Sequence, residues 1–235
     1  MVFRSSSHPL ASRLEQCFTV TCITTWTPDR HLRCWSRYAT FDIGKLLPQR
    51  QFKMERNGLL ILAGPSCTGK TTIARHLASQ HGFSVFPAVT TRPARTLEGA
   101  GEEYRFVSEA EFTTLRESGQ FLFWDELFGY RYGVESSLDS FLSNYRQVVL
   151  KVPVWRLAFL LDRYEDAVGL HLLAPELPVI AERLALRGEI SPGELHLRLE
   201  DVQRQNRMDV LGALRLEPMP LGELIRTIED LIYNY

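Results

Sequence analysis

The sequence predicts an α/β fold in which a parallel β-sheet is flanked by helices. Short apolar runs typical of buried strands alternate along the chain with segments that have the helical spacing of apolar residues. The clearest apolar run, 59–63, leads into the stretch GPSCTGKTT at 64–72, and a helical pattern follows it. A strand-rich segment at 88–134 interrupts the alternation, so we expect it to form a lobe inserted into the sheet.

Each predicted strand has a local signal in the residues from 54 onward. The strands are runs of apolar and β-branched residues, and glycine or proline often stands near their ends. We expect them at 59–63, 84–87, 104–107, 120–127, 130–134, 147–152, 170–173 and 213–216. A loop rich in arginine, proline and glycine is expected at 90–101.

Helices are predicted where apolar residues recur on one face or where a capping pattern stands. Ser108 with Glu111 forms a capping box, and Ser191, Pro192 and Glu194 supply an N-cap, a proline at the first position and a third-position acid. Each of these patterns begins a predicted helix. The other helices are expected at 70–80, 136–143, 179–186 and 221–233 and between the strands at 147–152 and 170–173.

Length and composition limit the classes of protein to consider. The chain has 235 residues and a net charge of −1, which does not favour nucleic-acid or anionic-membrane binding. The longest apolar run falls short of the ~20 residues that a membrane helix needs. The four cysteines show neither CxxC pairs nor zinc spacing, which favours a reducing compartment. We therefore expect a cytoplasmic protein that binds neither nucleic acid nor membranes.

Residues 1–53 differ from the rest of the sequence. They contain three of the four cysteines and only three acidic residues, Glu15, Asp29 and Asp42. Neither a helical nor a strand period persists there. We predict a disordered extension or upstream sequence that is not part of the native protein, with Met54 as the alternative start. A transit peptide is the competing interpretation, but a clear amphipathic helix with arginines is missing from the pattern.

The stretch at 64–72 matches the phosphate-binding pattern G-x-x-x-x-G-K-[ST], which defines a P-loop. A loop that wraps a phosphate with backbone N–H groups needs small residues and glycine conformations, and the next helix directs its positive end at the anion. Lys70 is placed to reach β- and γ-phosphate oxygens, and the Thr71 hydroxyl to bind Mg²⁺. A glycine-rich turn with an incidental lysine is the alternative. The predicted nucleotide-binding residues are Gly64, Pro65, Ser66, Cys67, Thr68, Gly69, Lys70, Thr71 and Thr72.

Several spaced motifs downstream resemble those of guanylate kinases. The segment at 90–106, TTRPARTLEGAGEEYRF, resembles the family pattern TTRxPRxxExxGxxYxF, although the proline stands one place early. GYRYG at 129–133 resembles the family's GxYYG turn. RLALRG at 183–188, followed by Arg198 and Leu199, resembles its lid, RLxxRG…RL. The resemblance covers residues 58 to about 233 and implies a P-loop NTPase-type parallel sheet, an acceptor-binding lobe at 88–134 and a short lid at 183–198.

The resemblance also implies an acceptor site. Arg92 and Arg95 match the arginines that grip the acceptor's phosphate in guanylate kinases. Tyr104 matches a tyrosine that bonds the same phosphate, and Tyr132 matches another in the acceptor pocket. Arginine presents a planar fork that suits phosphate oxygens. The implied acceptor is a small phosphorylated molecule.

The lid arginines complete the implied catalytic set. Arg183, Arg187 and Arg198 match family residues that close over the transferring phosphoryl group, and they join Lys70 as the expected catalytic residues. Catalysis of phosphoryl transfer depends on positioning the two phosphates and neutralising their charge more than on covalent catalysis by the protein. The implied cofactors are ATP and Mg²⁺. The oligomeric state stays open.

The residues at the positions that recognise guanine in guanylate kinases are different in this chain. Guanylate kinases place a glutamate before the tryptophan of the strand that precedes the GxYYG turn, a hydroxyl residue after that turn, a serine before the threonine pair, and an acidic LDID motif at a strand end. The residues at these positions are Phe123, Val134, Ala88 and the stretch 150–153, LKVP. A site built to hydrogen-bond a base cannot be reproduced by an apolar pocket.

Three functions therefore remain open at this point. One is phosphoryl transfer to GMP, and another is phosphoryl transfer to an acceptor without a base. YGV at 132–134 resembles ribose 1,5-bisphosphate phosphokinases, which suits the second. The third is a guanylate-kinase-like binding module that has lost catalysis. The intact P-loop, phosphate arginines and lid favour a kinase, since a pure binding module has no need for them.

Overall fold

The computed structural model describes residues 58–95, 103–188 and 191–233. The extension predicted at 1–53 lies outside the described residues. The same is true of 96–102, the middle of the predicted arginine-rich loop, and of 189–190 in the predicted lid. In the described residues the alternation of strands and helices is confirmed.

Short strands and helices follow one another along the described chain. The strands are β1 (Gly58–Ala63), β2 (Ser84–Val85), β3 (Ala88–Thr90), β4 (Tyr104–Phe106), β5 (Phe121–Leu127), β6 (Tyr130–Glu135), β7 (Gln147–Val152), β8 (Val168–Leu172) and β9 (Ala213–Leu216). The helices are α1 (Lys70–His81), α2 (Glu109–Glu117), α3 (Leu138–Asn144), α4 (Leu157–Arg163), α5 (Leu177–Ala185), α6 (Pro192–Asn206) and α7 (Leu221–Tyr233), with a 3₁₀ turn at Val154–Arg156.

The main sheet is parallel, as the sequence predicts. Among the described residues it contains five strands in the order β2–β7–β1–β8–β9. β1 is central, with Leu60 paired to Val149 of β7 on one side and to Val168 of β8 on the other. The P-loop that follows β1 therefore leaves the middle of the sheet at its carboxyl edge, where ligands bind in open α/β sheets.

Both faces of the main sheet are covered by helices, because successive β1 side chains alternate between two cores. Leu60 and Leu62 pack in one core with side chains of α1 and α7. Leu59 and Ile61 pack in the other core, which also contains side chains of α3 and α4. This two-sided burial explains why β1 is a continuous apolar run and why β7 is apolar from Val148 to Leu150.

The segment at 88–134 forms a lobe with its own sheet. In its described part the strand order is β4–β3–β6–β5, with β3 parallel to β4 and antiparallel to β6. A two-residue turn joins β5 to β6, and both of its residues, Phe128 and Gly129, have positive φ. α2 covers this sheet by packing Phe112 and Leu115 against Val89.

One prediction within the lobe is wrong. The sequence predicts a strand at 84–87 followed by a loop from residue 90. In the structure the strand ends at Val85, and a separate strand, β3, covers Ala88–Thr90. β3 is held by partners distant in the sequence, namely Tyr104–Phe106 and Tyr132–Gly133, which its own three residues do not reveal.

Both predicted helix caps are present. The Ser108 hydroxyl accepts from the Glu111 backbone N–H while the Glu111 side chain accepts from Ser108, so the capping box is complete. Ser191 caps α6 by accepting from the Glu194 backbone N–H. Glu194 does not return that bond, because its carboxylate accepts from Arg198 one turn later.

Across the described ranges, none of the helices combines the length and the apolar character that crossing a membrane requires.

Leu62 provides a test of the central packing. Its side chain is fully buried under α1 and α7. Leu62→Ala is expected to lower the free energy of unfolding by about 3 kcal/mol, because it loses apolar burial and leaves a cavity. Leu211→Ala is the matched control, since Leu211 is 80% exposed, and it should change the value by less than about 0.5 kcal/mol. Chemical denaturation of the two variants measures the difference, and equal values would contradict the assignment of this core.

Candidate active site

The P-loop folds back over the start of α1 through an unusual backbone. Gly64, Cys67 and Gly69 all have positive φ, at 150°, 65° and 96°. At Gly64 a Cβ atom would lie 2.5 Å from the Leu172 carbonyl oxygen, so only glycine fits between the loop and β8. At Gly69 the left-handed conformation lets the chain turn directly into α1. The glycines of the motif are therefore explained by the local geometry.

Lys70 lies inside this loop. Its ammonium donates hydrogen bonds to the carbonyl oxygens of Gly64, at 2.6 Å, and Pro65, at 2.5 Å. The pKa of Lys70 is lowered from 10.5 to about 7, first by burial and second by the nearby positive charge of Arg187. An ammonium held in this way is poorly solvated, so an anion in the loop would stabilise its charged form strongly.

A buried carboxylate lies beside the predicted metal ligand. Glu103 is only 4% exposed and stands at the start of β4. Its Oε2 accepts from the Thr71 hydroxyl at 2.9 Å and from the Lys151 ammonium at 2.7 Å. Arg75 of α1 places its Nε 2.5 Å from the other oxygen, Oε1. One acid of the inserted lobe thus joins the P-loop helix to β7.

The Thr71 hydroxyl at this position is a hard oxygen donor of the kind that Mg²⁺ takes together with phosphates and several waters. Both oxygens of the neighbouring Glu103 are already paired with cations, Oε2 with Lys151 and Oε1 with Arg75. Glu103 belongs to the segment that resembles guanylate kinases, but no pattern in the sequence singles it out. Its partners are 32 and 48 residues away along the chain.

Lys151 occupies the strand end where the LDID resemblance calls for a carboxylate. It is buried in β7, its ammonium lies 3.5 Å from the Thr71 hydroxyl, and it stands 4.9 Å from the centre of the Tyr104 ring. The sequence alone shows that a carboxylate is absent from this position. The structure adds that the residue in its place puts a positive charge between Thr71 and Tyr104. The Glu103 carboxylate balances that charge.

The predicted acceptor residues meet in the cleft in front of the P-loop. Arg92, Arg95, Tyr104 and Tyr132 all line it together with Lys70. Arg92 is 5% exposed, and its guanidinium lies 5.5 Å from the centre of the Tyr104 ring. The rings of Tyr104 and Tyr132 are 6.4 Å apart. These four residues come from three parts of the lobe that only the fold brings together.

The threonine pair before Arg92 fixes the position of this loop. The Thr90 hydroxyl donates to the Arg131 carbonyl oxygen and accepts from the Arg92 backbone N–H. The Thr91 hydroxyl accepts from the Arg131 backbone N–H. Arg92 is therefore attached to β6 through its two neighbours, and its orientation does not depend on its own side chain alone.

Part of the cleft lining is apolar, and it includes Phe123, Val134, Ala88 and Leu127. Asp125 lines the same cleft, and Arg156 pairs with both of its oxygens, at 2.9 and 2.6 Å. The same guanidinium lies 4.9 Å from the centre of the Phe123 ring. Asp125 is thus already neutralised, and Phe123 is held between aromatic and cationic neighbours.

The lid arginines separate into two groups. Arg187 and Arg198 line the cleft, whereas Arg183 is exposed and donates to the Cys67 carbonyl oxygen at 3.0 Å, behind the P-loop. Arg198 is buried, bonded to Glu194 at 2.7 Å and stacked 4.4 Å from the centre of the Phe128 ring. The lid helix α6 therefore contacts the turn of the inserted lobe.

Two further polar residues of α6 line the cleft and were not predicted. Asp201 and Gln205 are both buried, and the Gln205 amide donates to Asp201 at 2.6 Å. Gln205 also accepts from the Val154 backbone N–H, which ties α6 to the end of β7. Their spacing from Arg198, at three and seven residues, places all three on one helix face, and this is the signal that could have found them.

The fold and the cleft together define a class of protein. A P-loop in the middle of a parallel sheet faces an inserted lobe with clustered arginines and tyrosines. Two helices of the predicted lid region contact these parts, α5 through Arg183 on the P-loop and α6 through Arg198 on the turn of the lobe. This arrangement is that of a P-loop phosphotransferase.

Comparisons with known proteins identify the family. The guanylate kinase family model matches residues 56–209. The guanylate kinase of Neisseria meningitidis is 34% identical over 158 residues, which are 66% of this chain and 77% of that protein. That of Thermotoga maritima is 31% identical over 147 residues, 62% of this chain and 71% of that protein. The chain belongs to the guanylate kinase family.

A solved structure gives the same fold. The crystal structure of guanylate kinase from Anaplasma phagocytophilum superposes with a TM-score of 0.56 over 76% of this chain and 86% of that chain, at 22% identity.

The buried pair of Glu103 and Lys151 yields a stability prediction. Both side chains are 5% exposed. Lys151→Met or Glu103→Gln alone should lower the free energy of unfolding by about 3 kcal/mol, because each removes an opposite charge that lies against a buried one. The double variant should lose much less than the sum of the two, since it removes both charges. A double-mutant cycle by chemical denaturation measures this, and simple additivity would show that the two groups are not coupled.

Proposed function

We propose that the chain transfers the γ-phosphoryl group of ATP to the phosphate of a small acceptor, with GMP as the first candidate acceptor. The observation that carries the proposal is a single cleft lined by the P-loop lysine, the acceptor-side arginines and tyrosines and two lid arginines. Membership of the guanylate kinase family supports GMP, because the relatives that match carry that name.

The roles of the residues follow from their charges and positions. The P-loop from Gly64 to Thr72 would hold the ATP phosphates, with the Lys70 ammonium on the β- and γ-phosphate oxygens. Arg92, Arg95, Tyr104 and Tyr132 would hold the acceptor's phosphate in line with the γ-phosphate. Arg187 and Arg198 would neutralise the charge that develops during transfer and exclude water from it.

Mg²⁺ would be held by the Thr71 hydroxyl together with phosphate oxygens and water, and it would offset phosphate charge when bound. Lys151 adds a fixed positive charge to the same region, so the protein itself supplies part of the neutralisation there. Arg183 has a different role in this proposal. Because it donates to the Cys67 carbonyl oxygen, it would stabilise the outer side of the P-loop and would act on the transfer through the loop's position.

A second acceptor class is favoured by one observation. The cleft lining includes Phe123, Val134 and Ala88, and the carboxylate of Asp125 is already paired with Arg156. This lining offers little to the hydrogen-bonding edge of guanine. An acceptor with phosphate groups and no base, such as ribose 1,5-bisphosphate, would lose nothing there.

The proposed function is tested by following ADP formation with the full chain, ATP and Mg²⁺. The acceptor panel contains GMP, dGMP, AMP, UMP, CMP and ribose 1,5-bisphosphate, and Lys70→Ala is the catalytic blank, expected to lose at least about 10³-fold in rate. A response to GMP supports the first candidate, and a response to the bisphosphate alone supports the second. Silence with every acceptor, while ATP still binds, would reject both and leave a binding module.

The proposed domain limits are part of the same proposal. The kinase domain would span 54–235, and residues 1–53 would not be needed for transfer. Equal activity of the full chain and of a chain that begins at Met54 supports this division, whereas lower activity of the shorter chain contradicts it.

Arg92→Ala tests the acceptor side. We expect it to raise the KM for the acceptor by about 10- to 100-fold, because a charge-assisted contact to the acceptor's phosphate is lost, while the KM for ATP changes little. Arg163→Ala is the control, since Arg163 pairs with Asp139 on α3 and does not line the cleft. Steady-state kinetics measure both constants. An unchanged acceptor KM in folded Arg92→Ala protein would remove Arg92 from the site.

Lys70 gives a prediction about pH. Its pKa is about 7 in the structure, and bound phosphates would raise that value, so ATP binding above pH 7 must take up a proton. At pH 8 we expect uptake approaching one proton, and a fall in ATP affinity between pH 7.5 and 9 of up to about tenfold per unit. Calorimetry in buffers of different ionisation enthalpy measures the uptake. Lys70→Arg keeps a permanent charge, and it should show neither effect.

A further inference from the structure

A cluster of two histidines and a glutamate lies at the far end of the P-loop helix, outside the cleft. His76 and His81 belong to α1, and Glu229 belongs to α7. The two helices are held against each other by a shared core in which Leu77 of α1 packs with Ile228 of α7. The cluster is therefore built on two elements whose relative position is fixed by packing, and neither histidine has a role in the proposed reaction.

The three side chains converge on one point. The Nε2 atoms of His76 and His81 lie 2.8 and 2.7 Å from the same carboxylate oxygen, Oε1 of Glu229. The ligand atoms of the three residues all lie within 4.8 Å of one another. The side chains are 31%, 25% and 27% exposed, so solvent reaches the cluster from one side.

These distances are close to those of a metal coordination shell. Zinc binds histidine nitrogen and carboxylate oxygen at about 2.0 to 2.2 Å, which places neighbouring ligands in a tetrahedral shell roughly 3.3 Å apart. The two nitrogen–oxygen distances need to lengthen by only about half an ångström to admit an ion. Two imidazoles and one carboxylate are also a set that zinc uses in proteins with water as the fourth ligand, and the exposed side of the cluster leaves room for that water.

We propose that His76, His81 and Glu229 form a binding site for a divalent transition-metal ion, with Zn²⁺ as the best-matched ion. The mixed nitrogen and oxygen set favours zinc over magnesium or calcium, which need more oxygen ligands. Binding would replace the protons that the two imidazoles direct at Glu229 and leave each ring protonated on Nδ1. Without metal, the same hydrogen bonds hold the pKa of Glu229 below its usual value, first through His76 and then through His81.

The site would stabilise the fold without entering the reaction. His81 is the last residue of α1 and lies roughly 16 Å along the helix axis from Lys70, at 1.5 Å per residue. A metal ion here would attach the carboxyl end of the P-loop helix to α7 in addition to the apolar core. The metal ion would oppose separation of these two helices, which cover one face of the main sheet.

The test compares Zn²⁺ binding by the full chain and by His76→Ala/His81→Ala, using metal-free protein and calorimetry. The wild-type chain should bind one more Zn²⁺ than the double variant, and Co²⁺ should give a visible absorption band in the wild type alone. At Zn²⁺ concentrations 100-fold above the dissociation constant, the midpoint of thermal unfolding of the wild type should rise by roughly 5 °C.

The controls separate this site from other ligands in the chain. His196→Ala removes an exposed histidine that pairs with one glutamate, Glu200, at 3.2 Å and has no second histidine in that pair. This variant should keep the full stoichiometry. His81→Gln is a milder change that can still donate to Glu229, and it should weaken binding at least about 100-fold while remaining folded in chelator. Equal zinc stoichiometry and equal thermal shift in the wild type and in the double variant would overturn the proposal.

Discussion

The buried carboxylate of Glu103 is the interaction on which the geometry of the cleft depends. It accepts from Thr71 and pairs with Arg75 on the P-loop helix, and it pairs with Lys151 on the central sheet, while its own backbone immediately precedes β4 of the inserted lobe. Three separate parts of the fold are thus held by one side chain. A buried acid is costly unless opposite charges lie close to it, and here Lys151 lies against Oε2 and Arg75 lies close to Oε1 without a well-aligned hydrogen bond.

The same principle of paired charge applies across the cleft. Arg198 is buried, but Glu194 and the face of the Phe128 ring compensate its charge. Lys151 is balanced by Glu103, whereas the described hydrogen-bond acceptors of Lys70 are neutral oxygens of Gly64, Pro65 and Thr68, and its pKa is strongly lowered. An anion bound in the loop would therefore stabilise the charged form of Lys70, which agrees with its place in the P-loop motif.

The sequence predicts the elements well where the signal is local. The last strand and helix match their predicted limits, 213–216 and 221–233, because each is a short, regular apolar pattern with a clear boundary. β3 was missed because its three residues become a strand only through partners in β4 and β6. In the site, the loop glycines follow from local geometry. The pairing of Glu103 with Lys151 does not, since it joins residues 48 positions apart whose contact exists only in the fold.

The residues that line the cleft differ in how well they distinguish one acceptor from another. One set of lining residues contains the P-loop and the arginines predicted for the acceptor site and the lid, and these are the parts whose patterns follow the guanylate kinase family. The other set has Phe123 and Val134 where that resemblance calls for a carboxylate and a hydroxyl, and Asp125, which also lines the cleft, is paired with Arg156. Phosphate groups are common to many acceptors, whereas hydrogen bonds to a base distinguish one acceptor from another. Family membership therefore defines the reaction class of this chain, and under the proposed function the apolar lining would select among acceptors that share a phosphate.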